Sequence, residues 1–146
     1  MEPITKNKKA YFEYSILEKH IAGIKLQGSE VKSIRAGKVS ISEAYCFIND
    51  GEIFIKGMNV TEYKEGGKHN NHNPVRDRKL LMNKKEIIKL KENISQKGLT
   101  IVPLSLILTN TGFIKLEIGL AKGKNLYDKR HSIKEKDIKR ELERNL

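Results

Sequence analysis

The sequence has little of the chemistry that builds disulfide or metal frameworks. Cys46 is the one cysteine among 146 residues, which excludes an internal disulfide framework and a cysteine-rich zinc site. Two of the four histidines, His69 and His72, share a polar loop, but two ligands are fewer than the three or four that zinc usually takes. We therefore interpret both as solvated loop residues, and we expect no metal and no cofactor.

Long hydrophobic runs and tryptophan are also lacking. The longest apolar stretch, residues 101–108, is interrupted by Pro103 and Ser105, and it falls far short of the roughly 18 apolar residues of a membrane span. Residues 1–6 carry no apolar run of the signal-peptide type. The absence of Trp and the 6% content of aromatic residues disfavour a membrane-interface helix. These absences predict a soluble cytoplasmic protein.

Positive charge is what the sequence has in excess. Lys and Arg total 29 against 18 Asp and Glu, a formal net charge of +11. A basic domain of this size is usually built to bind a polyanion, and the shortage of aromatic residues favours nucleic acid over a membrane. The charge alone does not separate RNA from DNA, because both present phosphates.

Apolar residues at a spacing of two predict a largely β structure. Residues 1–9 are polar and basic and predict a flexible N-terminal arm, after which Phe12, Tyr14 and Ile16 begin a strand. Alternating runs flank residues 49–51 (NDG) and 110–112 (NTG). Glycine suits the positive backbone angles of tight turns, so these segments predict two hairpins.

Two helices interrupt the strands. Ser29 caps a short predicted helix that Gly37 ends, and Asn83 caps a longer one that Gly98 ends. The fold class is therefore mainly β, a small antiparallel β-barrel of the oligonucleotide-binding (OB) type with two or three helices and a basic C-terminal tail. We place the barrel at residues 10–121. The tail, residues 122–146, is predicted to be disordered when free and to order as a helix on a partner.

The first candidate site is the segment 28–38 (GSEVKSIRAGK). Lys32 and Arg35 lie one helical turn apart and Lys38 follows, so the three cations can meet a phosphate backbone together. Glu30 has two interpretations that the sequence leaves open. Its carboxylate accepts hydrogen bonds from a base amino group or a 2′-hydroxyl, or it complements the positive end of the helix, an effect worth about 0.3–1 kcal/mol.

Two other function classes stay open. A metal-dependent ribonuclease could use Glu30 and Lys32, but such a site needs a further acidic metal ligand, and the sequence offers no convincing one. A structural protein of the ribosomal type would bind ribosomal RNA without catalysis.

Two further basic clusters follow. Arg76 and Arg78 alternate, so an extended segment would direct both to one side, where guanidinium groups can grip phosphates or stack on bases. Lys122 and Lys124 flank a glycine that lets the backbone approach a phosphate closely, and Tyr127 offers a stacking ring nearby.

Taken together, these segments resemble the family of small protein B, the SsrA-binding protein that is the bacterial partner of transfer-messenger RNA. The resemblance runs from about residue 7 to the C-terminus. The matching segments are residues 7–10 (NKKA), 28–38 (GSEVKSIRAGK), 74–81 (PVRDRKLL), 120–124 (LAKGK) and 127–130 (YDKR).

The resemblance implies an OB-type barrel and an RNA-binding adaptor of trans-translation, not an enzyme. Such an adaptor binds the tRNA-like domain of transfer-messenger RNA, promotes its alanylation and delivers it to the A site of stalled ribosomes, leading to tagging and rescue. The ribosomal small subunit with its 16S rRNA is then a direct partner, alanyl-tRNA synthetase and elongation factor Tu are indirect ones, and the protein acts as a monomer.

The resemblance also implies which residues carry each role. It implies an interface with transfer-messenger RNA made by Asn7, Lys9, Glu30, Lys32, Arg35, Lys38, Arg76, Arg78, Lys79, Lys122 and Lys124. It implies that the tail occupies the decoding centre and, as a helix, the empty messenger channel, through Tyr127, Asp128, Lys129, Arg130, Lys134 and Lys136.

Overall fold

Alternating apolar side chains build an antiparallel sheet that carries the rest of the protein. A computed structural model describes residues 2–64 and 71–124. In chain order the elements are β1 (Glu2–Lys6), α1 (Lys8–Glu13), β2 (Tyr14–Ile24), α2 (Gly28–Arg35), β3 (Val39–Ser40), β4 (Tyr45–Asn49), β5 (Glu52–Lys56), β6 (Asn59–Val60), β7 (Arg78–Leu81), α3 (Lys84–Lys97), β8 (Thr100–Leu108) and β9 (Ile114–Gly123).

Seven of the strands form one sheet in the order β1-β8-β9-β2-β7-β5-β4, and every neighbouring pair is antiparallel. The sheet curls so that β4, at one edge, comes close to β8 near the other. The short strands β3 and β6 pair separately. The prediction of a mainly β, antiparallel barrel with two or three helices is confirmed.

The core fills the inside of this curled sheet. Ile34 of α2 and Leu90 of α3 pack into it with strand residues such as Ile53 and Leu116, and all four are at most 2% exposed. A smaller cluster on the other face of β8 joins Ala10 of α1 to three buried residues, Val102, Leu104 and Ala121. Because β8 is buried on both faces, its sequence is apolar almost throughout instead of alternating.

Both predicted hairpins and the longer helix are confirmed. The β4–β5 turn places Asp50 at φ 52° and Gly51 at φ 75°, the left-handed angles that a tight two-residue turn requires. The strands β8 and β9 form the second hairpin. The helix α3 ends at Gly98, which adopts φ 64° as its C-cap. In the described part of the chain, no helix is long and apolar enough to span a membrane.

The prediction of a flexible arm at residues 1–9 is wrong for the part that the structure describes. β1 pairs with β8 in a register that sets Glu2 opposite Leu108, and α1 begins directly after Asn7. The Asn7 side chain accepts a hydrogen bond from the Ala10 backbone N–H at 3.3 Å and donates one to the carbonyl of Pro103 at 2.9 Å. Residues 11–13 are therefore helical, and the predicted strand begins only at Tyr14.

Three further expectations need correction. The barrel does not end at residue 121, because β9 runs to Gly123 and the backbone N–H of Lys124 donates to the carbonyl of Glu13 at 2.9 Å. Gln27, not Ser29, is the N-cap of α2. His72 is 4% exposed and not solvated. His69 and residues 125–146, which hold the whole predicted decoding-centre set, lie outside the described residues.

Candidate nucleic-acid interface

The candidate interface is organised around one buried carboxylate. Glu30 lies in the first turn of α2, is 0% exposed and accepts a hydrogen bond at Oε1 from the backbone N–H of Gln27 at 2.7 Å. The carboxylate thus closes the start of the helix, where its charge also complements the helix dipole.

Two arginines, one just before β7 and one at its first position, complete the surroundings of this carboxylate. Arg76 Nη2 lies 2.5 Å from Glu30 Oε1, and its Nε lies 3.2 Å from each carboxylate oxygen. Arg78 Nε donates to Glu30 Oε2. Charge-assisted, forked hydrogen bonds of this kind fix both position and orientation, so the segment carrying both arginines is locked against α2.

Arg78 uses its remaining donors on the backbone. Its Nη1 donates to the carbonyls of Met58 at 2.8 Å and Arg76 at 3.1 Å, and its Nη2 donates to that of Pro74 at 3.2 Å. The guanidinium is 0% exposed, and a buried charge is tolerated when it is paired and its donors are satisfied. Arg78 therefore ties three chain segments together.

The network keeps its carboxylate ionised. Burial alone would raise the pKa of Glu30, but the hydrogen bonds from Arg76, from the Gln27 backbone and from Arg78 outweigh it and hold that pKa below the ordinary value of 4.5. Burial lowers the pKa of Arg78, and its pairing with Glu30 opposes this shift. One carboxylate thus balances part of the charge of two arginines.

The burial changes the roles predicted for Glu30 and Arg78. Neither side chain is accessible to an RNA in this structure, and the side chain of Arg76 is only 26% exposed. The contacts support the helix-start interpretation of Glu30 and add a role that the sequence did not reveal, the anchoring of two arginines. Within residues 2–64 and 71–124, no cluster of three or more His, Cys, Asp or Glu side chains is placed to hold a metal.

Basic side chains on α2 and just after it remain exposed, outside the buried network of Glu30 and the two arginines. Lys32 places its Nζ 5.2 Å from the centre of the Tyr63 ring, a cation–π arrangement. Arg35 Nη2 donates to the carbonyl of Gly112 at 2.7 Å, which ties α2 to the β8–β9 turn. Lys32, Arg35 and Lys38 are all exposed. The structure therefore brings these three predicted residues to one accessible helix face and its C-terminal end.

A second group gathers around α1. Lys9 forms an exposed ion pair with Glu43 at 3.2 Å, and hydrogen bonding to that carboxylate raises the pKa of Lys9. Lys124 Nζ donates to the carbonyl of Tyr11 at 3.3 Å, while Lys122 is exposed on β9 opposite Ser15 of β2. Asn7 is buried and acts as the cap of α1, so it positions this group without facing solvent.

Lys79 lies apart from both groups. It sits on β7, opposite Phe54 of β5, and pairs with Glu52 at 3.3 Å. Its neighbour along the chain, Arg78, points into the core, because successive strand residues alternate between faces.

His72 is the residue that sequence reasoning missed most clearly. Its Nδ1 lies 2.8 Å from the Ser29 hydroxyl and its Nε2 lies 2.8 Å from the carbonyl of Val60. The two contacts connect the start of α2 to β6. The only available signal was that His72 stands two residues before Pro74, at the start of the segment that carries both arginines.

Comparisons with known proteins agree on one family. The family described as SmpB protein matches residues 4–146. An SsrA-binding protein from Cytophaga hutchinsonii is 54% identical over 139 residues, 95% of this chain and 90% of its own. One from Acholeplasma laidlawii is also 54% identical, over 146 residues that make up 100% of this chain and 97% of its own.

A solved structure gives the same result for the fold. The structure, described as "tmRNA-SmpB: a journey to the center of the bacterial ribosome", matches with a TM-score of 0.70 and 39% identity, covering 90% of this chain and 95% of that one.

Proposed function

This chain belongs to the SmpB protein family, and from that membership we propose that it is an RNA-binding adaptor of trans-translation whose partners are transfer-messenger RNA and the ribosome. The observation that carries the proposal is the match to SsrA-binding proteins over nearly the whole of both chains. The net charge of +11 and the exposed lysines of α2 and of the α1 region support it, because counter-ion release at phosphates dominates binding to RNA.

Within this function, we assign direct RNA contacts to two sets of cations. The first is Lys32 and Arg35 on α2 with Lys38 just after it, and the second is the exposed Lys9 and Lys122 with the partly exposed Lys124 near α1. Glu30, Arg76, Arg78 and Asn7 are positioning residues, because burial and internal hydrogen bonds occupy them. Lys79 has a place in the tRNA-like interface only as the family resemblance implies.

The division of labour is between the barrel and the tail. We assign binding of the tRNA-like domain to the barrel, with its boundary moved from residue 121 to residue 124. We assign the ribosomal decoding centre and messenger channel to the tail, with Tyr127, Asp128, Lys129, Arg130, Lys134 and Lys136 as its contacts. The protein acts in the cytoplasm as a monomer and is not an enzyme; it assists alanylation and delivery by elongation factor Tu through the RNA that it binds.

A binding experiment with Mg²⁺ present tests the core of this proposal. The purified chain is titrated into labelled tRNA-like domain, and the expected result is a stable shifted complex with intact RNA. Cleavage of the RNA would instead support the ribonuclease class, and a preference for ribosomal RNA fragments would support the structural class.

The salt dependence of binding tests a single phosphate contact. Lys122→Ala is expected to reduce the slope of the logarithm of the RNA-binding constant against the logarithm of salt concentration by about 0.7–0.9. Lys84→Ala, at the start of α3, is the control that leaves the slope unchanged.

A further inference from the structure

The outer face of the β4–β5 hairpin carries a row of aromatic rings. Cys46, Ile53 and Ile55 are buried in the core, so strand alternation directs Tyr45, Phe47 and Phe54 outwards. The Phe47 and Phe54 rings stack at 5.4 Å with planes 22° apart, and Tyr45 lies 6.4 Å from Phe47. We call these three residues the aromatic ladder.

Lysines flank the aromatic ladder in register. Lys56 stands opposite Tyr45 across the β4–β5 pair, and Lys79 stands opposite Phe54 across the β5–β7 pair. Lys79 is partly balanced by Glu52, whereas Lys56 is exposed and has no ion pair with any residue that the structure describes. A lysine therefore stands beside the ring at each end of the aromatic ladder.

Hairpin stability accounts for only part of this arrangement. A cross-strand aromatic pair stabilises a β-hairpin, which explains Phe47 against Phe54. It does not explain Tyr45, which is 50% exposed and faces a lysine across the hairpin. Tyr45 therefore ends the ladder as a large aromatic side chain that a ligand can reach.

The aromatic ladder also adjoins the cations around α1. Tyr45 lines a cleft of about 180 Å³ together with Asn7, Lys9 and Glu43. The ladder is thus continuous with one of the two candidate RNA-contact groups, and it extends that surface across the point where β4 approaches β8.

We propose that the aromatic ladder binds unpaired RNA nucleotides, with bases stacking on its rings and phosphates lying against Lys56 and Lys79. Aromatic rings in a cationic surface are the general means by which proteins hold single-stranded nucleic acid. Aromatic rings are also enriched in protein interfaces, but lysine is depleted there, so the two flanking lysines favour RNA over a protein partner. The proposal rests on the proposed function only in taking RNA as the partner class, since unpaired bases are a different ligand from a folded tRNA-like domain.

The test uses the full chain and two labelled oligonucleotides of equal length, an oligouridylate and an abasic oligomer with the same phosphates. The wild-type protein is expected to bind the oligouridylate more tightly than the abasic oligomer. The double variant Phe47→Leu/Phe54→Leu and the single variant Tyr45→Ser are expected to weaken oligouridylate binding about tenfold for each stacking base lost, with no change for the abasic oligomer. Phe113→Leu removes an aromatic ring that is 67% exposed on the β8–β9 turn and is expected to leave binding unchanged.

Several outcomes would overturn the proposal. Equal affinity of wild type and ladder variants for the oligouridylate would do so, as would equal wild-type affinity for the two oligomers. Because Tyr45 is half exposed, Tyr45→Ser keeps the test valid if the double variant fails to fold. Affinity for the tRNA-like domain, measured on the same samples, separates this proposal from the proposed function: wild-type protein that binds that domain but not the oligouridylate refutes the ladder alone.

Discussion

At the scale of single residues, the candidate interface depends on a carboxylate that is buried beneath it and cannot itself contact RNA. Glu30 receives two guanidinium groups and a backbone N–H while fully buried. The sequence revealed that Glu30 stands among cations, but not that its partners lie 46 and 48 residues away. Only the tertiary fold brings these partners together.

Removing this charge is expected to cost much of the stability of the protein. Glu30→Gln leaves Arg78 buried without its counter-charge, and breaking one partner of such a buried pair typically costs about 3–5 kcal/mol. Urea unfolding measures the loss. The matched control is Glu43→Gln: its ion pair with Lys9 is exposed, so breaking it should cost far less stability. Equal losses in the two variants would contradict the anchoring role of Glu30.

The same carboxylate predicts how stability depends on pH. Because the folded-state pKa of Glu30 is depressed, the unfolded chain binds the proton more readily, so stability rises with pH across this titration. The contribution is complete above the ordinary value of 4.5 and is lost as the pH falls through the folded value. The difference in unfolding free energy between wild type and Glu30→Gln should therefore shrink below about pH 4.5. A constant difference down to pH 2 would contradict the shift.

Cys46 provides a residue-scale probe of the barrel. Cys46 on β4 is 7% exposed, and burial strongly raises the pKa of its thiol, so little thiolate is available to react. Alkylation by iodoacetamide at neutral pH is expected to be slow in buffer and fast in denaturing urea. Rapid labelling of the native protein would show that β4 opens readily.

At the scale of elements, local patterns predicted what local interactions determine. The NDG turn, the glycine that ends α3 and the clean alternation of β9 each act through neighbouring residues, and all three are confirmed. The N-terminal region was predicted wrongly because its structure depends on distant partners. β1 exists by pairing with β8, and α1 is held by a hydrogen bond from Asn7 to Pro103, 96 residues away.

This contrast makes Asn7 the element-scale test. Asn7→Ala removes both the cap of α1 and the bond to Pro103, with an expected loss of about 1–3 kcal/mol. Asn7→Ser keeps a good cap but is too short to reach Pro103, so it should lose less. Amide hydrogen exchange should show faster exchange in α1 than in α3 for the alanine variant. Unchanged protection of α1 would contradict the capping role.

At the scale of the whole molecule, positive charge divides between a folded barrel and the residues that follow it. β9 continues to Gly123, and Lys124 is bonded to α1, so the folded part ends later than alternation alone indicated. The helical spacing of basic residues in α2 was predictable from the sequence. The convergence of Lys9, Lys122 and Lys124 at α1 was not, because it follows from the pairing of β2 with β9.

A truncation after Lys124 tests whether the two parts separate. We expect the shortened chain to keep the thermal transition of the barrel and to bind the tRNA-like domain within a few-fold of the full chain. It should fail to support peptide tagging on stalled ribosomes in a reconstituted translation reaction. Tagging by the truncated protein would refute the division of labour, and loss of the thermal transition would place the boundary further along the chain.

The order of strands in the sheet also has a consequence for how the protein is made. β1 and β2 are synthesised first, yet their principal partners, β8 and β9, are among the last described elements to emerge. β1 therefore has no strand partner, and β2 at most its short pairing with β7, until the last described strands are translated. Proteins dominated by such distant pairings fold on a scale of milliseconds to seconds, and unpaired strand edges invite association with other chains. Until the closing hairpin of β8 and β9 is made, the edges of the first strands stay open to such association.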